Sequence, residues 1–386
     1  MLEEVMSRNV GKWKPLIIVA VIALAATAHP TLADDGPAHR IDQVFPVKLG
    51  TSGGNIKDST KAFCYGGTLG ALVQRADRTQ YILSNNHVLA RTNLAAIGED
   101  IIQPGLIDQN PVCNKDSNDA VANLSDFIPI YFKAKRATPT NDVDAAIAEV
   151  RPGAVISTGE ILDIGTISNT TLDPAIGLAV KKSGRTTGLT VGTISAVNVI
   201  VDISYGSGKT ARFTNQILIT PGSFLAGGDS GSLMVEDVDT APQAVGLLFA
   251  GSSSVAIANP IGAVLDAFGV TMVGPIPQTG LVDKIRTWAR NLFQISESHA
   301  ASAQLPTQVN PAAVDAVRRV KERHEARLLA LPGVVGLGVG RSERVIGQAA
   351  IEIYVNQATG SLRQAIPDSL EGVEVKIVET GEIQAY

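Results

Sequence analysis

The chain has 386 residues, more than one ordinary domain, and 45% of them are hydrophobic, so a sizeable core can be buried. Charged residues make up only 18% and aromatic residues 4%, and the 37 glycines suit an all-β body with tight turns better than a helical bundle. The formal net charge of -5 argues against a basic face for nucleic acid or anionic lipid and favours a soluble protein.

The first segment has the pattern of a secretory signal peptide. Basic residues precede an apolar run at 16–28, which would rise only about 20 Å as a helix, too short to span a bilayer. Small residues then lead to a cleavage site after Ala33, with 26–28 as an alternative. We therefore predict a signal peptide at 1–33, a secreted or periplasmic protein, and no stable membrane insertion after its removal. An uncleaved anchor is the competing interpretation.

Residues 34–60 are weakly periodic and are predicted to form an extended N-terminal arm. Two cysteines follow, Cys64 and Cys113, both in polar, loop-like surroundings. In an exported protein such a pair favours one disulfide over two buried thiols, worth about 4 kcal/mol in the chain-entropy model. No histidine pair lies nearby, so the cysteines do not indicate a zinc site.

From about residue 64 the pattern changes to short apolar runs separated by glycine and asparagine turns. The runs at 67–73 and 81–84, joined by a polar turn, predict a hairpin. Further strands are predicted at 144–150, 165–167, 178–182, 191–203, 216–220, 232–235, 244–249 and 255–258. Because these strands do not alternate with long helices, a barrel or sandwich is favoured over a doubly wound α/β sheet.

The pattern changes again near residue 275. An amphipathic helix is predicted at 281–295, and a linker rich in serine, alanine and glutamine follows it at 296–309. A small α+β module is predicted from 310, with a helix at 312–329 and strands at 334–339, 350–355 and 373–378. The predicted divisions are a signal peptide at 1–33, an arm at 34–60, a β body at 61–274, a helix and linker at 275–309, and the module at 310–386.

Histidine is scarce, and its placement is informative. Of the five histidines, only His87 lies inside the β body, directly after the strand predicted at 81–84. A histidine in a core is usually structural. If the β body performs acid–base chemistry near neutral pH, however, His87 is the imidazole available to it.

Ser230 stands in a glycine-rich run with Gly227, Gly228 and Gly231. The glycines allow a tight turn that a substrate backbone can approach, and the amides of Gly228 and Ser230 could then form an oxyanion hole. A plain surface turn would have the same composition. The run becomes specific when it is combined with His87 and an aspartate between the two.

Two aspartates are candidates for that third position. Asp144 leads into an apolar strand, where its carboxylate can be buried, whereas Asp142 lies two residues earlier and is better placed for solvent. We predict Asp144. The chain order His87, Asp144, Ser230 also differs from the order Ser, Asp, His of the α/β-hydrolases.

These motifs resemble those of the chymotrypsin-like serine peptidases, most closely the bacterial enzymes of the α-lytic protease and streptogrisin type. The resemblance covers 64–270 and rests on the segments at 83–89, 141–147, 183–188 and 227–233. It implies an all-β double barrel, here followed by the small C-terminal α+β module. It also implies a serine-type endopeptidase in which Ser230 is the nucleophile, His87 the general base and Asp144 its orienting carboxylate, with no metal or cofactor.

The resemblance further implies peptide or protein substrates and a region that binds them. The residues implied are Phe224, Leu248, Phe249, Ala250, Gly251 and Ser252. Family members that cut after lysine or arginine carry an aspartate six residues before the nucleophile, and this chain has Phe224 there. A buried cation against phenylalanine would be costly, so an apolar or small residue is predicted before the scissile bond.

Two other functions fit the sequence. The first is an HtrA-type peptidase with a C-terminal peptide-binding module, because the run at 335–339 resembles a carboxylate-binding loop. The second is a non-catalytic binding protein on a peptidase scaffold. Inactive relatives usually lack one residue of the triad, and all three are present here.

Overall fold

A computed structural model describes residues 36–276 and 309–386. The predicted signal peptide at 1–33, the predicted helix at 281–295 and all but the last residue of the predicted linker at 296–309 lie outside these ranges. Within the described ranges, no helix combines the length and the apolar character needed to cross a membrane.

The described residues form mainly β-strands, with five α-helices. The strands in chain order are β1 (Thr51–Asn55), β2 (Gly67–Leu69), β3 (Ala71–Gln74), β4 (Gln80–Ser84), β5 (Asp100–Ile102), β6 (Ala120–Phe127), β7 (Thr140–Asn141), β8 (Ala146–Val150), β9 (Ala179–Gly184), β10 (Gly188–Ser204), β11 (Thr210–Thr220), β12 (Leu233–Glu236), β13 (Ala244–Gly251), β14 (Ala256–Pro260), β15 (Thr271–Met272), β16 (Val334–Arg341), β17 (Ala349–Val355), β18 (Ser369–Leu370), β19 (Val373–Glu379) and β20 (Gln384–Ala385). The helices are α1 (Gly36–Arg40), α2 (Asn86–Leu89), α3 (Ile261–Phe268), α4 (Pro311–Leu329) and α5 (Gly360–Ala365).

The first sheet has eight strands in the order β15-β3-β4-β8-β6-β5-β1-β2. Its β1 comes from the segment predicted as an extended arm, and all five of its residues are buried. The sequence of this strand, Thr51–Asn55, contains only small or polar residues, so it shows neither the alternation of a half-buried strand nor the hydrophobic run of a fully buried one. The composition of this segment therefore does not predict the strand that it forms.

The second sheet contains a closed ring of six strands. The pairings run β10-β9-β12-β13-β14-β11, and β11 pairs back with β10. The α-helices are few and lie outside this ring in sequence. The predicted all-β double barrel with a small C-terminal α+β module is confirmed.

The C-terminal module extends the second sheet instead of standing apart from it. Its strands run β18-β19-β17-β16, and β16 pairs antiparallel with the long strand β10. The run at 335–339, which resembled a carboxylate-binding loop, lies in β16 with β17 on one side and β10 on the other. Neither edge of this run is therefore open to a peptide.

The two barrels meet at a backbone-to-backbone contact beside Ser230. The predicted strand at 67–73 is interrupted at Gly70, where a Cβ atom would lie 2.0 Å from the carbonyl oxygen of Gly231. On the other side of the break, the amide of Thr68 donates to the carbonyl of Ser230 at 2.8 Å. The predicted strand at 165–167 does not form, because left-handed residues at Asp163 and Gly165 turn the chain there.

Candidate active site

His87 and Asp144 form a buried hydrogen-bonded pair. His87 lies in the short helix α2 after β4, and Asp144 lies just before β8, which is paired with β4. Nδ1 of His87 is 2.6 Å from Oδ2 of Asp144, and the His87 amide donates to Oδ1 at 3.2 Å. Asp144 is fully buried, whereas Asp142 is exposed. The structure thus brings Asp144, and not Asp142, to the imidazole.

A tyrosine that the sequence analysis did not single out also binds Asp144. Tyr205, just after β10, donates its hydroxyl to Oδ2 of Asp144 at 2.7 Å, and its ring meets the His87 ring edge-on. Burial, and then the charge of Asp144, raise the pKa of Tyr205 well above its usual range, so the hydroxyl keeps the proton that it donates. The amide of Asp144 donates to Asn259, which fixes the backbone as well.

The pKa of His87 is raised on balance. Burial lowers it, but the charge of Asp144 and its hydrogen bond raise it, and so do the carbonyl of Tyr386 and the charge of Asp58. Nε2 of His87 lies 2.8 Å from the Tyr386 carbonyl oxygen. Because carboxylate and carbonyl oxygens both only accept hydrogen bonds, these contacts suit an imidazolium with a proton on each nitrogen.

Ser230 lies in the predicted turn between two left-handed glycines. Gly228 has φ +95° and Gly231 has φ +93°, and a Cβ at Gly231 would lie 2.3 Å from the Thr68 carbonyl, so both positions favour glycine. Ser230 is buried, and its hydroxyl donates to the Phe249 carbonyl at 3.0 Å instead of to His87. Among the described residues, the amides of Gly228 and Ser230 have no acceptor. They are therefore free to bind a developing oxyanion.

The Ser230 turn is held in place by the buried side chain of Asp229. This carboxylate accepts hydrogen bonds from the amides of Thr186, Thr187 and Ala226 and from the Thr187 hydroxyl, at 2.7 to 3.1 Å. The ammonium of Lys182 lies 3.4 Å away, and both side chains are fully buried. Burial lowers the pKa of Lys182, while Asp229 opposes that effect. The sequence did not reveal this internal ion pair.

The residues predicted to bind substrate lie in β13 or close to it. They are Leu248, Phe249, Ala250 and Gly251 in that strand, Ser252 immediately after it, and Phe224 in the 3₁₀ turn Gly222–Phe224. The side chains of Leu248 and Phe249 are buried in two different apolar clusters, so these residues can offer a substrate only their backbone. The surface along β13 from Phe249 to Gly251, next to the Ser230 hydroxyl, is called the groove below. Phe224 is 1% exposed and packs in the same cluster as Leu248.

A cavity of about 390 Å³ opens beside His87 and Tyr386. Lys57, Arg91 and Asp58 are among the residues that line it. Burial raises the pKa of Asp58 to about 6, although Arg91 and His87 act to lower it. The charged lining therefore changes with pH close to neutrality.

Two further predictions concern cysteine and metal. Cys64 and Cys113 are joined by a disulfide with their Cα atoms 5.6 Å apart. Across residues 36–276 and 309–386, no group of three or more metal-binding side chains comes together.

Comparison with known proteins gives one family and several relatives. The family model described as the Nal1 C-terminal domain matches residues 133–258. Glutamyl endopeptidase 2 of Streptomyces griseus is 34% identical over 115 residues, which are 30% of this chain and 55% of that protein. Serine protease 1 of Streptomyces fradiae is 32% identical over 142 residues, 36% of this chain and 34% of that protein. The chain thus spans about half the length of the first relative and a third of the second.

Solved structures are similar at a lower level. A glutamic acid-specific serine protease, described as using a histidine triad in substrate binding, is 24% identical with a TM-score of 0.40, and the match covers 58% of this chain and all of that one. Thermobifida fusca protease A is 17% identical with a TM-score of 0.39, over 59% of this chain and 99% of that one. Of the two curated relatives, one is an endopeptidase and the other a serine protease by name, which confirms the resemblance predicted from the motifs.

Proposed function

We propose that this chymotrypsin-like chain, related to the streptogrisin-type serine peptidases, is an exported serine endopeptidase in which Ser230, His87 and Asp144 carry out acyl transfer. The observation that supports it most is the buried His87–Asp144 pair, 2.6 Å apart, close to a serine whose turn presents free amides. Peptide bonds are the substrate class because the relatives are peptidases.

The proposed base is a neutral imidazole oriented by Asp144. With Nδ1–H donating to the carboxylate, the lone pair of Nε2 faces the groove and can take the Ser230 proton. Asp144 then stabilises the imidazolium, and the Tyr205 hydroxyl holds the carboxylate in place. Two changes must precede this step. The Tyr386 carbonyl must leave Nε2, and the Ser230 hydroxyl must turn from Phe249 toward Nε2.

Once Ser230 attacks, the negative charge that forms on the peptide carbonyl oxygen needs donors. The amides of Gly228 and Ser230 supply them, and loss of one such donor can cost about a hundredfold in rate. The Asp229–Lys182 pair holds this turn from inside the barrel. Because that cation comes from within the chain, we propose that the enzyme needs no activating cleavage to form its oxyanion hole.

The proposed preference before the scissile bond is for an apolar side chain. The cluster beside the groove contains Phe224, Leu225 and Leu248, and a carboxylate buried against them would be costly. One relative is named for glutamyl specificity. A histidine beside the cluster could pair with a glutamate side chain of the substrate. Among the described histidines, however, His39 contacts Ser183 and His324 contacts Glu371, so neither is aimed at this cluster.

The site of action is proposed to be outside the cytoplasm. A disulfide between Cys64 and Cys113 is typical of oxidising compartments. The predicted signal peptide at 1–33 agrees with export, and its removal would leave a protein that acts in the periplasm or outside the cell.

A fluorophosphonate probe tests the nucleophile directly. We expect the probe to label a chain of residues 34–381, in which the Tyr386 carbonyl no longer occupies Nε2 of His87, and peptide mapping to find the label on Ser230. Ser230→Ala should abolish labelling, whereas Ser361→Ala, at an exposed serine of the module, should not. Absence of labelling under conditions that label a known serine peptidase would favour the non-catalytic binding protein, and undiminished labelling of Ser230→Ala would remove Ser230 from the mechanism.

A further inference from the structure

The segment 383–386 of the chain itself lies against the strand predicted to bind substrate. β12 pairs with β13 only as far as Leu247, and beyond that point β20 pairs antiparallel with the same strand. Ala385 stands opposite Ala250, and Gln384 stands opposite Gly251. The segment therefore adds a strand at the edge where an extended peptide would bind.

The contacts of Tyr386 continue this pairing into the catalytic residues. Its amide donates to the Phe249 carbonyl at 3.3 Å, and its own carbonyl oxygen lies 2.8 Å from Nε2 of His87. Its side chain packs against the apolar cluster that contains Phe224. A Cβ added to Gly251 would lie 2.9 Å from Cε2 of the Tyr386 ring, so the ring passes directly over that glycine.

The segment is anchored immediately before it enters the groove. Ile383 is 2% exposed, and its carbonyl accepts a hydrogen bond from the Ser204 amide at 2.9 Å. Gln384 also pairs in parallel with Ser204, the last residue of β10. The next residue, Tyr205, is the one that donates to Asp144. The segment is thus held between β10 and β13 and leads to the catalytic histidine.

We propose that the segment 383–386 is an intramolecular inhibitor that fills the acyl side of the substrate groove and displays the sequence which that groove prefers. An aromatic residue would stand before the scissile bond, with a small residue preceding it. The carbonyl of Tyr386 occupies the nitrogen that must accept the serine proton, so substrate binds and the base becomes free only when the segment leaves. The claim that the segment inhibits catalysis rests on the proposed function, whereas the claim that it occupies the groove does not.

Occupancy is tested without catalysis by a binding measurement on the Ser230→Ala background. The probe is a fluorescein-labelled peptide of sequence Ile-Gln-Ala-Tyr, followed by anisotropy. Because a tethered segment acts at an effective concentration of roughly millimolar, it should exclude the free peptide. We expect a chain that ends at Gly381 to bind the probe at least about tenfold more tightly than a chain that ends at Tyr386. Equal binding by both chains, or no binding by the shorter one, would overturn the proposal.

A second variant separates occupancy from folding. Tyr386→Ala keeps the Ile383 anchor and removes the ring from the apolar cluster, so it should also bind the probe more tightly than the parent chain. Glu382→Gln, at an exposed position just before the segment, keeps an oxygen that can accept from the Gln384 side-chain amide at 3.4 Å, so it should bind as the parent does. If Tyr386→Ala matches the parent, the ring does not hold the groove closed and the proposal fails.

Inhibition is measured with Ser230 intact, on a fluorogenic peptide that carries tyrosine before the cleaved bond. The chain ending at Gly381 should show a kcat/KM about tenfold or more above that of the chain ending at Tyr386, mainly through a lower apparent KM. Equal values would refute inhibition. If no variant cleaves the peptide while the binding difference holds, the endopeptidase proposal fails and the occupancy of the groove stands.

Discussion

Replacement of Lys182 by methionine tests whether a buried cation holds the Ser230 turn. Lys182→Met keeps most of the side-chain volume but removes the only cation that the described residues place within 4.0 Å of Asp229. Loss of one partner of a buried ion pair costs about 3–5 kcal/mol, because the other charge remains buried. Asp229 keeps four other hydrogen bonds, so the lower end applies, about 3 kcal/mol.

Thermal denaturation and peptide hydrolysis measure the two consequences. A loss of about 3 kcal/mol should lower Tm by roughly 4 °C in a protein of this size. Because Asp229 precedes Ser230, kcat should fall about a hundredfold while KM changes little. The matched control is Lys181→Met on the same strand, whose partner Asp237 is 40% exposed at 3.8 Å and can be rehydrated. If the two variants had the same Tm, the buried pair would not have the role assigned to it.

Three further predictions concern the groove. Tyr205→Phe removes the hydroxyl that Asp144 accepts, so kcat should fall about tenfold with KM unchanged, and a rise in KM alone would contradict a positioning role. The contacts that raise the pKa of His87 should place the acidic limb of the kcat/KM profile above pH 6.5. Removal of the Tyr386 carbonyl, which is one of these contacts, should move the acidic limb to lower pH, and a move to higher pH would contradict the prediction. Gly251→Val should prevent binding of the Ile-Gln-Ala-Tyr peptide even in a chain ending at Gly381, as anisotropy would show, because its side chain would occupy the place of the tyrosine ring. Its Cβ would also lie 2.9 Å from the Val255 carbonyl oxygen, so Tm is measured beside binding, and undiminished binding would contradict this placement of the ring.

The sequence predicted those parts of the site that have a local pattern. Ser230 could be found because its turn needs glycine at Gly228 and Gly231, and His87 because no other histidine lies in the β body. Asp144 followed from its place before an apolar strand. Each of these signals occupies a few consecutive residues, and the chain order of the three adds the specificity that each one lacks.

Other parts of the site depend on contacts between distant segments, for which a single sequence contains no pattern. Tyr205 is 61 residues from Asp144, and Tyr386 is 299 residues from His87. Lys182 lies between Lys181 and Ser183 in a strand whose sequence does not mark it as buried, and only the closure of the barrel brings it to Asp229. The strand Thr51–Asn55 was missed because it is fully buried but has no apolar side chain, so neither pattern by which a strand is recognised is present.

The pairing of β10 with β16 has a consequence for attempts to study the β body alone. Between Ala196 and Val201, β10 offers its backbone to β16, and the ring of Tyr354 from the neighbouring β17 is fully buried in the cluster behind that strand. A chain that stopped before Pro311 would leave this backbone edge bare and its apolar cluster partly uncovered. Uncovered edges of this kind recruit other molecules, so such a fragment should precipitate or pair with itself instead of behaving as a simpler peptidase.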